Sequence, residues 1–216
     1  MGTQKSKAAA KAEPALNPQP SSAPVPDTSS KPSNLDLFFA QFTSTSHPDE
    51  SRTEIDPMGL QRLCEQIGVD PASDVAVLVL AWKCRTQTMG TITKEEFLRG
   101  LAELQVDSLT ALRRKTGEMR EMVKSPSAPN YKDFYRFVFD ISREPGSKVL
   151  DVDTAVALLD MLLCPSFPLA VKFKAFLGVK EGLRAISVDQ WMSFLEFCKQ
   201  HQKSLDNYDS DGACKS

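Results

Sequence analysis

Apolar residues recur three or four positions apart through most of the chain, which is the spacing of an amphipathic helix. The pattern begins at Asn34 with "NLDLFFAQF" and continues in "DPMGLQRLCEQIGV". After residue 130 it returns in "YKDFYRFVFDIS", "DTAVALLDMLL", "PLAVKFKAFL" and "SVDQWMSFLEFCKQ". These segments predict an all-α protein.

One segment, "PASDVAVLVLAWKCR", is apolar on nearly all sides. A helix without a polar face belongs at the centre of its subdomain. Polar residues before the helices predict where they begin. Asn34, Asp70 and Asp107 are expected as single N-caps, and two capping boxes are expected from the pairs Thr93 with Glu96 and Ser187 with Gln190.

Residues 1–33 contain mainly Ala, Pro, Ser and Lys, with six of the fourteen prolines and no aromatic residue, so a disordered tail is predicted. Residues 34–213 form the expected domain, and "SPSAPN" separates a half at about 34–124 from one at about 130–213. Residues 214–216 are then a short end.

The first residues, "MGTQKSK", fit the N-myristoylation pattern, with Gly2 exposed after removal of Met1. Nearby lysines would supply a second, basic membrane signal. A lipid anchor and the solvated start of a linker both stay open, and a membrane is an expected partner only if Gly2 is lipidated.

The amino-acid composition argues against several classes of protein. Lys and Arg number 26 against 28 Asp and Glu, a net charge of -2 that gives no reason to expect a nucleic-acid partner. Five scattered cysteines without a Cys-x-x-Cys pair indicate a reducing compartment. The start lacks a secretory signal, and "VAVLVLAW" is too short to span a membrane, so a cytoplasmic or nuclear location is expected.

Two stretches resemble EF-hand loops that have lost their ligands. "GTITKEEF" fits loop positions six to thirteen, with Ile92 in a short buried strand and Glu96 at position twelve. Positions one, three and five are then Arg85, Gln87 and Met89, which offer calcium no adequate oxygen shell.

The second half repeats this pattern in "AISVDQW", where Ile186 takes the place of Ile92. Its positions one, three, five and twelve are Val179, Glu181, Leu183 and Gln190. The final "DNYDSDGACKS" opens like a calcium loop but has no residue at position twelve. We therefore expect two EF-hand-like helical subdomains without metal, and no cofactor.

Catalytic groups are scarce. The two histidines are His47 and His201, and a Cys-His pair would have to join His201 to Cys198 on one helix. Because Cys198 follows Trp191, Phe194 and Leu195 at helical spacing, a packed cysteine beside a surface histidine is expected. A binding or scaffolding protein is favoured over an enzyme.

Several separate stretches carry a family resemblance: "DPASDVAVLVLAWKCRTQTMGTITKEEFLRGLAEL", "YKDFYRFVFDI", "LDVDTAVALLDMLL", "SVDQWMSFLEF" and "NYDSDGA". From about Leu35 to Ala213 the chain resembles the potentiating-neddylation domain of the defective-in-cullin-neddylation (Dcn-like) family. The resemblance implies a co-ligase that is not itself an enzyme. It would hold a conjugating enzyme, charged with a ubiquitin-like modifier, beside a cullin and its RING protein.

The resemblance implies two sites. The first is an apolar pocket for the N-acetylated methionine of the conjugating enzyme, lined at the matching positions by Leu60, Val77, Leu80, Ala81, Cys84, Ile92, Ile141 and Met161. Acetylation removes a terminal charge that an apolar pocket would exclude. Cys84 and Ile141 stand where relatives often carry Phe, which implies a wider pocket. From composition alone, the same residues fit a plain helical core.

The second implied site is a cullin-binding patch of two Asp and one Ala, to which Asp189 and Ala213 correspond. Asp189 also fits a purely helical role, because a carboxylate in a first turn is favourable. The second Asp would lie beyond "CKS", so a truncated form with weaker cullin affinity is expected. An EF-hand-type calcium sensor and a truncated, competing binder of the conjugating enzyme remain as alternatives.

Overall fold

The computed structural model describes residues 33–43, 53–180 and 182–201. Within these ranges the chain forms nine helices and four short strands, so the all-α prediction is confirmed. In chain order they are α1 Asn34–Ala40, β1 Glu54–Ile55, α2 Pro57–Ile67, α3 Val75–Cys84, β2 Ile92–Thr93, α4 Lys94–Leu104, α5 Leu109–Met122, α6 Tyr131–Ser142, β3 Val149–Asp151, α7 Val152–Leu162, α8 Pro168–Val179, β4 Ala185–Ser187 and α9 Val188–Gln200.

Several predictions from the sequence lie outside the described ranges. They concern the tail before Ser33, Gly2, His47, Glu181, the stretch from Asn207, Ala213 and residues 214–216. The division of the domain into halves stays a prediction.

The two predicted capping boxes are confirmed. The Thr93 amide donates to Glu96 Oε2 over 2.8 Å, and the Ser187 amide donates to Gln190 Oε1 over 2.9 Å. These reciprocal bonds fix the start of α4 and of α9 directly after a strand.

The three single caps were predicted at the wrong residues. Ser33 caps α1 and Ser108 caps α5, each one residue from the expected position. The start of α3 differs more, because Asp70 closes a separate turn by accepting hydrogen bonds from the Ala72 amide and the Ser73 hydroxyl. The helix begins only after Asp74, whose Oδ1 accepts a bond of 2.9 Å from the Ala76 amide.

Two antiparallel strand pairs stand at the helix starts. Ile55 of β1 lies opposite Ile92 of β2, and Leu150 of β3 lies opposite Ile186 of β4. All four side chains are buried. The predicted short strands at Ile92 and Ile186 are therefore present, while the EF-hand likeness of the subdomains stays an interpretation.

Helix α3 is the centre of its surroundings, as its all-round apolar pattern predicts. It packs against α4, α5 and α6. Its side chains Ala76, Leu78, Val79, Leu80 and Cys84 are buried.

A cluster of aromatic side chains joins α6 to α9. The Trp191 ring stacks on Tyr135 with centroids 4.4 Å apart, and its indole nitrogen donates to the Tyr135 carbonyl over 3.1 Å. The Tyr131 hydroxyl donates to the Leu162 carbonyl of α7 over 2.8 Å. These bonds satisfy the Trp191 indole N–H and the Tyr131 hydroxyl, whereas the buried Tyr135 hydroxyl has no hydrogen-bond partner within the described ranges.

An ion pair fastens the start of α3 to the end of α5. Arg120 donates to both carboxylate oxygens of Asp74, with the shortest separation 2.5 Å from Nη2 to Oδ2. The Asp74 side chain is only 16% exposed. The hydrogen bonds from Arg120 lower the pKa of Asp74 below its ordinary value.

Replacing Asp74→Asn keeps a capping oxygen but removes the charge, so we expect a loss of about 1 kcal/mol of unfolding free energy at neutral pH. Because the folded pKa is lowered, the ion pair contributes fully above the unfolded pKa, near 4. Its contribution is lost as the pH falls through the folded pKa. Urea unfolding between pH 7 and pH 2 measures this.

The exposed Asp107→Asn variant is the control for loss of one carboxylate. A difference between the native protein and Asp74→Asn that stays constant down to pH 2 would contradict the ion-pair explanation.

Candidate protein-docking surfaces

The eight residues predicted for the acetyl-methionine pocket come from five elements. Leu60 lies in α2, four residues lie in α3, Ile92 lies in β2, Ile141 in α6 and Met161 in α7. Leu80, Cys84, Ile92 and Ile141 are buried, whereas Leu60, Val77, Ala81 and Met161 are partly buried against the core. The set is thus partly accessible from the surface, and its role as a pocket stays a prediction.

Two of these residues line cavities. Met161 lines a cavity of about 610 Å³ next to the start of α3, together with Asp74, Val75 and Asp160. Ile141 lines another of about 430 Å³ beside Gln87 and Met89 of the loop after α3. The structure therefore brings Ile141 and Met161 close to opposite ends of α3, in two different cavities.

Cys84 is fully buried where α3 meets α4. A Cβ atom on Gly100 would lie 3.0 Å from both the Cα and the N of Cys84, so the two helices approach closely only because residue 100 is glycine. Burial raises the pKa of the Cys84 thiol to about 12. Cys84 thus acts as a small apolar side chain at this contact.

The loop from Arg85 to Glu96 is closed by a carboxylate. Glu96 is buried, and its two oxygens accept hydrogen bonds from the amides of Gln87, over 3.1 Å, and of Thr93, over 2.8 Å. Arg85 and Gly90 adopt positive φ angles, which turn the loop back on itself. The side chain at the calcium-ligand position thus binds the loop's own backbone.

Across the described residues, no group of three His, Cys, Asp or Glu side chains is placed to hold a metal ion.

Asp189 is exposed in the first turn of α9. The capping box of Ser187 and Gln190 on either side of it fixes the backbone there. Asp153 has the matching place in α7, since each follows the first helical residue after a short strand. The structure therefore leaves the Asp189 side chain exposed, and its role in a cullin contact stays a prediction, while Ala213 lies outside the described residues.

Cys198 is buried, and burial raises the pKa of its thiol to about 12. A thiol with this pKa stays protonated and is a poor nucleophile. His201 is half-buried, with its ring 4.7 Å from that of Phe197, rather than fully on the surface. The expected packed cysteine is confirmed.

An apolar groove between α8 and α9 was not predicted. Four phenylalanines line it, Phe173, Phe176, Phe194 and Phe197, and its volume is about 480 Å³. The sequence signal is a pair of F-x-x-F segments, "FKAF" and "FLEF". The two phenylalanines of each segment have helical spacing, but ordinary core residues have the same spacing. Periodicity alone therefore does not predict the groove.

Residues 111–214 match a family model described as cullin binding. The chain is 38% identical to DCN1-like protein 5 of Homo sapiens over 175 residues, an alignment that covers 81% of this chain and 71% of that protein. The chain belongs to the DCN1-like family. This DCN1-like chain is also 40% identical over 159 residues to DCN1-like protein 4 of Danio rerio, covering 74% of this chain and 55% of that protein.

The DCN1-like chain also resembles DCN1-like protein 4 of Drosophila melanogaster, with 36% identity over 176 residues. The Dcn-like resemblance found in the sequence is thereby confirmed. The relatives and the matched segment support a role related to cullin neddylation. Among the described helices, none combines the length and the apolar character needed to cross a membrane.

Replacing Gly100→Ala places a methyl group against Cys84 of α3, and we expect a loss of about 2 kcal/mol because neither helix backbone can move away cheaply. Gly117→Ala in α5 is the matched control, because nothing lies within 4 Å of the added carbon. That variant should gain about 0.5 to 1 kcal/mol from helix propensity. Chemical denaturation compares them, and equal effects of the same sign would refute the close approach.

Replacing Glu96→Ala removes the acceptor of two loop amides, so we expect a loss of about 2 kcal/mol in unfolding free energy. Glu95→Ala, exposed in the same helical turn, is the control and should change stability little.

Millimolar calcium should leave the melting temperature of the native protein unchanged, because Glu96 is already bonded. A rise in melting temperature with calcium would favour the sensor alternative.

Proposed function

We propose that this protein is a non-catalytic co-ligase of cullin neddylation. It binds a cullin C-terminal region and the N-acetylated conjugating enzyme together, with the cullin-associated RING protein as a further partner. The observation that carries the proposal is the match of residues 111–214 to the cullin-binding model, within a chain that aligns with DCN1-like proteins over most of its length.

The exposure of Asp189 supports the cullin contact. A carboxylate held at a helix start is a defined, negatively charged group for a basic partner surface. The fixed backbone around it limits the entropy lost on binding.

The partly buried members of the predicted pocket support the contact with the conjugating enzyme. Leu60, Val77, Ala81 and Met161 keep some exposed apolar surface, while Leu80 and Ile92 of the same predicted set are buried. An acetylated methionine presents an uncharged amide and a flexible thioether, which suit such a surface. A free terminal ammonium would have to be desolvated there at a cost of several kcal/mol.

The mechanism needs no catalytic side chain from this protein. Holding a thioester and the acceptor lysine together raises their effective concentration and makes the transfer behave as an intramolecular step. The raised thiol pKa values of Cys84 and Cys198 agree with a protein that contributes position rather than a nucleophile.

The test is the rate of modifier transfer to a purified cullin C-terminal domain, with and without this protein. We expect acceleration with N-acetylated conjugating enzyme and little with the unacetylated form. Asp189→Asn should reduce the acceleration by about five- to tenfold, as expected for one charged contact. Asp153→Asn loses the same charge from the same helical position and should leave the acceleration unchanged.

Equal effects of the two Asn variants would remove Asp189 from the cullin contact. Slower transfer on adding the protein would replace the co-ligase with the competing binder.

A further inference from the structure

A cavity of about 540 Å³ lies between the end of α3, the end of α4 and one face of α6. Trp82 and Phe137 give it aromatic surface, and both side chains are partly buried. Polar and charged side chains line the rest of it. Its volume falls within the range of about 300 to 1,000 Å³ that is usual for small-molecule sites.

Two of the carboxylates that line the cavity accept hydrogen bonds from neighbouring side chains. Asp133 accepts one from the Trp82 indole nitrogen over 3.1 Å. Glu103 accepts one from the Lys83 ammonium over 2.8 Å, and this ammonium lies 4.3 Å from the centroid of the Trp82 ring. These contacts hold the Trp82 ring in its place at the cavity.

The third carboxylate, Asp140, is shared by two arginines. Its Oδ2 lies 3.6 Å from Arg136 Nε, and its Oδ1 lies 3.5 Å from Arg143 Nε. The three carboxylates thus face four cations, which leaves one positive charge unmatched. The four cations are Lys83, Arg85, Arg136 and Arg143.

Arg85 carries the unmatched charge. Its exposed side chain lines the cavity and forms neither a hydrogen bond nor an ion pair within the described ranges. Arg85 ends α3 with a φ of 55°, in the left-handed region that disfavours a residue with a Cβ atom. Helix α2 ends in the same region with Gly68. The backbone therefore favours glycine here, and the described contacts give the arginine side chain no role in the fold.

The next residue, Thr86, supplies an unused hydroxyl group. Thr86 lines the cavity and is only 5% exposed, and its Oγ1 is buried without a hydrogen-bond partner within the described ranges. Its amide donates to the Ala81 carbonyl over 3.1 Å, which fixes the residue at the end of α3. A buried hydroxyl without a partner costs free energy, and a ligand oxygen that accepts its hydrogen bond would offset that cost.

We propose that this cavity binds a small aromatic carboxylate. The carboxylate accepts hydrogen bonds from the Arg85 guanidinium and the Thr86 hydroxyl, and it supplies the negative charge that the cavity lacks. The ring of the ligand packs against Trp82 and Phe137. None of the residues that line the cavity belongs to the predicted acetyl-methionine pocket or cullin-binding patch, so this proposal does not rest on the proposed role in neddylation.

The probe is 4-fluorophenylacetate, titrated into the full chain and followed by fluorine NMR. We expect saturable binding with a Kd of about 1 mM or below. The amide 4-fluorophenylacetamide keeps the ring without the charge, and trifluoroacetate keeps the charge without the ring. Each should bind at least about tenfold more weakly. Raising NaCl from about 50 to about 500 mM should also weaken the binding of 4-fluorophenylacetate, because salt screens the charge of an exposed arginine.

Replacing Arg85→Gly removes the cation and suits the left-handed backbone. This variant should bind 4-fluorophenylacetate at least about tenfold more weakly, without a fall in Tm. Gln105→Gly is the matched control, because Gln105 ends α4 with a φ of 57° and does not line the cavity. It should leave the affinity within about twofold.

Replacing Thr86→Val removes the hydroxyl and keeps the shape of the side chain. The affinity should fall about threefold or more, and the urea midpoint should not fall, because no hydrogen bond within the protein is lost. Thr116→Val is the control, since Thr116 is also buried but donates to the Arg113 carbonyl over 2.9 Å. That variant should lower the urea midpoint and leave the affinity unchanged.

The absence of saturable binding of 4-fluorophenylacetate up to about 10 mM would overturn the proposal. Equal binding of the amide would do the same, because the charge would then play no part in recognition. Equal affinities of the native protein and Arg85→Gly would place the ligand elsewhere, for example in the groove between α8 and α9. Equal weakening by Arg85→Gly and Gln105→Gly would attribute the loss to the helix ends rather than to the guanidinium.

Discussion

The burial of α3 against three neighbouring helices is the constraint on which the described fold depends. Its sequence offers no polar face, so α4, α5 and α6 pack around it and remove most of its apolar surface from water. The polar contacts of α3 therefore lie near its two ends. Asp74 joins the start to Arg120, Trp82 donates to Asp133 over 3.1 Å, and Lys83 pairs with Glu103 over 2.8 Å. Burial sets the position of the helix, and these contacts set its orientation.

The loop that follows α3 is also held in place by groups of the protein itself. In a calcium-binding loop, a metal ion draws backbone and carboxylate oxygens together. Here the Glu96 carboxylate accepts hydrogen bonds from two loop amides directly, so the same turn is closed by the protein's own donors and acceptor. These two hydrogen bonds close the loop without a metal ion.

The sequence predicted what depends on local spacing and failed where chemically similar neighbours compete. The helices, the central place of α3 and the capping boxes follow from patterns within single segments, and the short strands at Ile92 and Ile186 follow from the EF-hand-like loop pattern. Asp70 and Asp74 are both competent N-caps, and only the turn that Ser73 forms with Asp70 decides between them. The groove was missed because its walls come from α8 and α9, and helical periodicity cannot show which apolar faces leave a gap.

Helical periodicity could not predict the acetyl-methionine pocket either, because its residues come from five elements. Apolar residues in helices have the same spacing whether they pack in the core or bind a partner. Family resemblance, rather than periodicity, singled them out. Asp189 shows the opposite case: its exposure and its helix start follow from local sequence, but its partner does not. Local sequence patterns thus predict where a side chain lies, but they do not identify the partner that it binds.

The proposed bridge would have to be stiff between its two contacts, because a loss of orientation lowers the effective concentration of the reacting groups. Direct contacts run from α3 to α9. Trp82 of α3 packs on Phe134 of α6 with centroids 5.5 Å apart, and the next residue of α6, Tyr135, stacks on Trp191. Trp191 is two residues from Asp189 on α9. Since close-packed aromatic cores resist small displacements, this path would hold the α3 surface and Asp189 at a fixed separation.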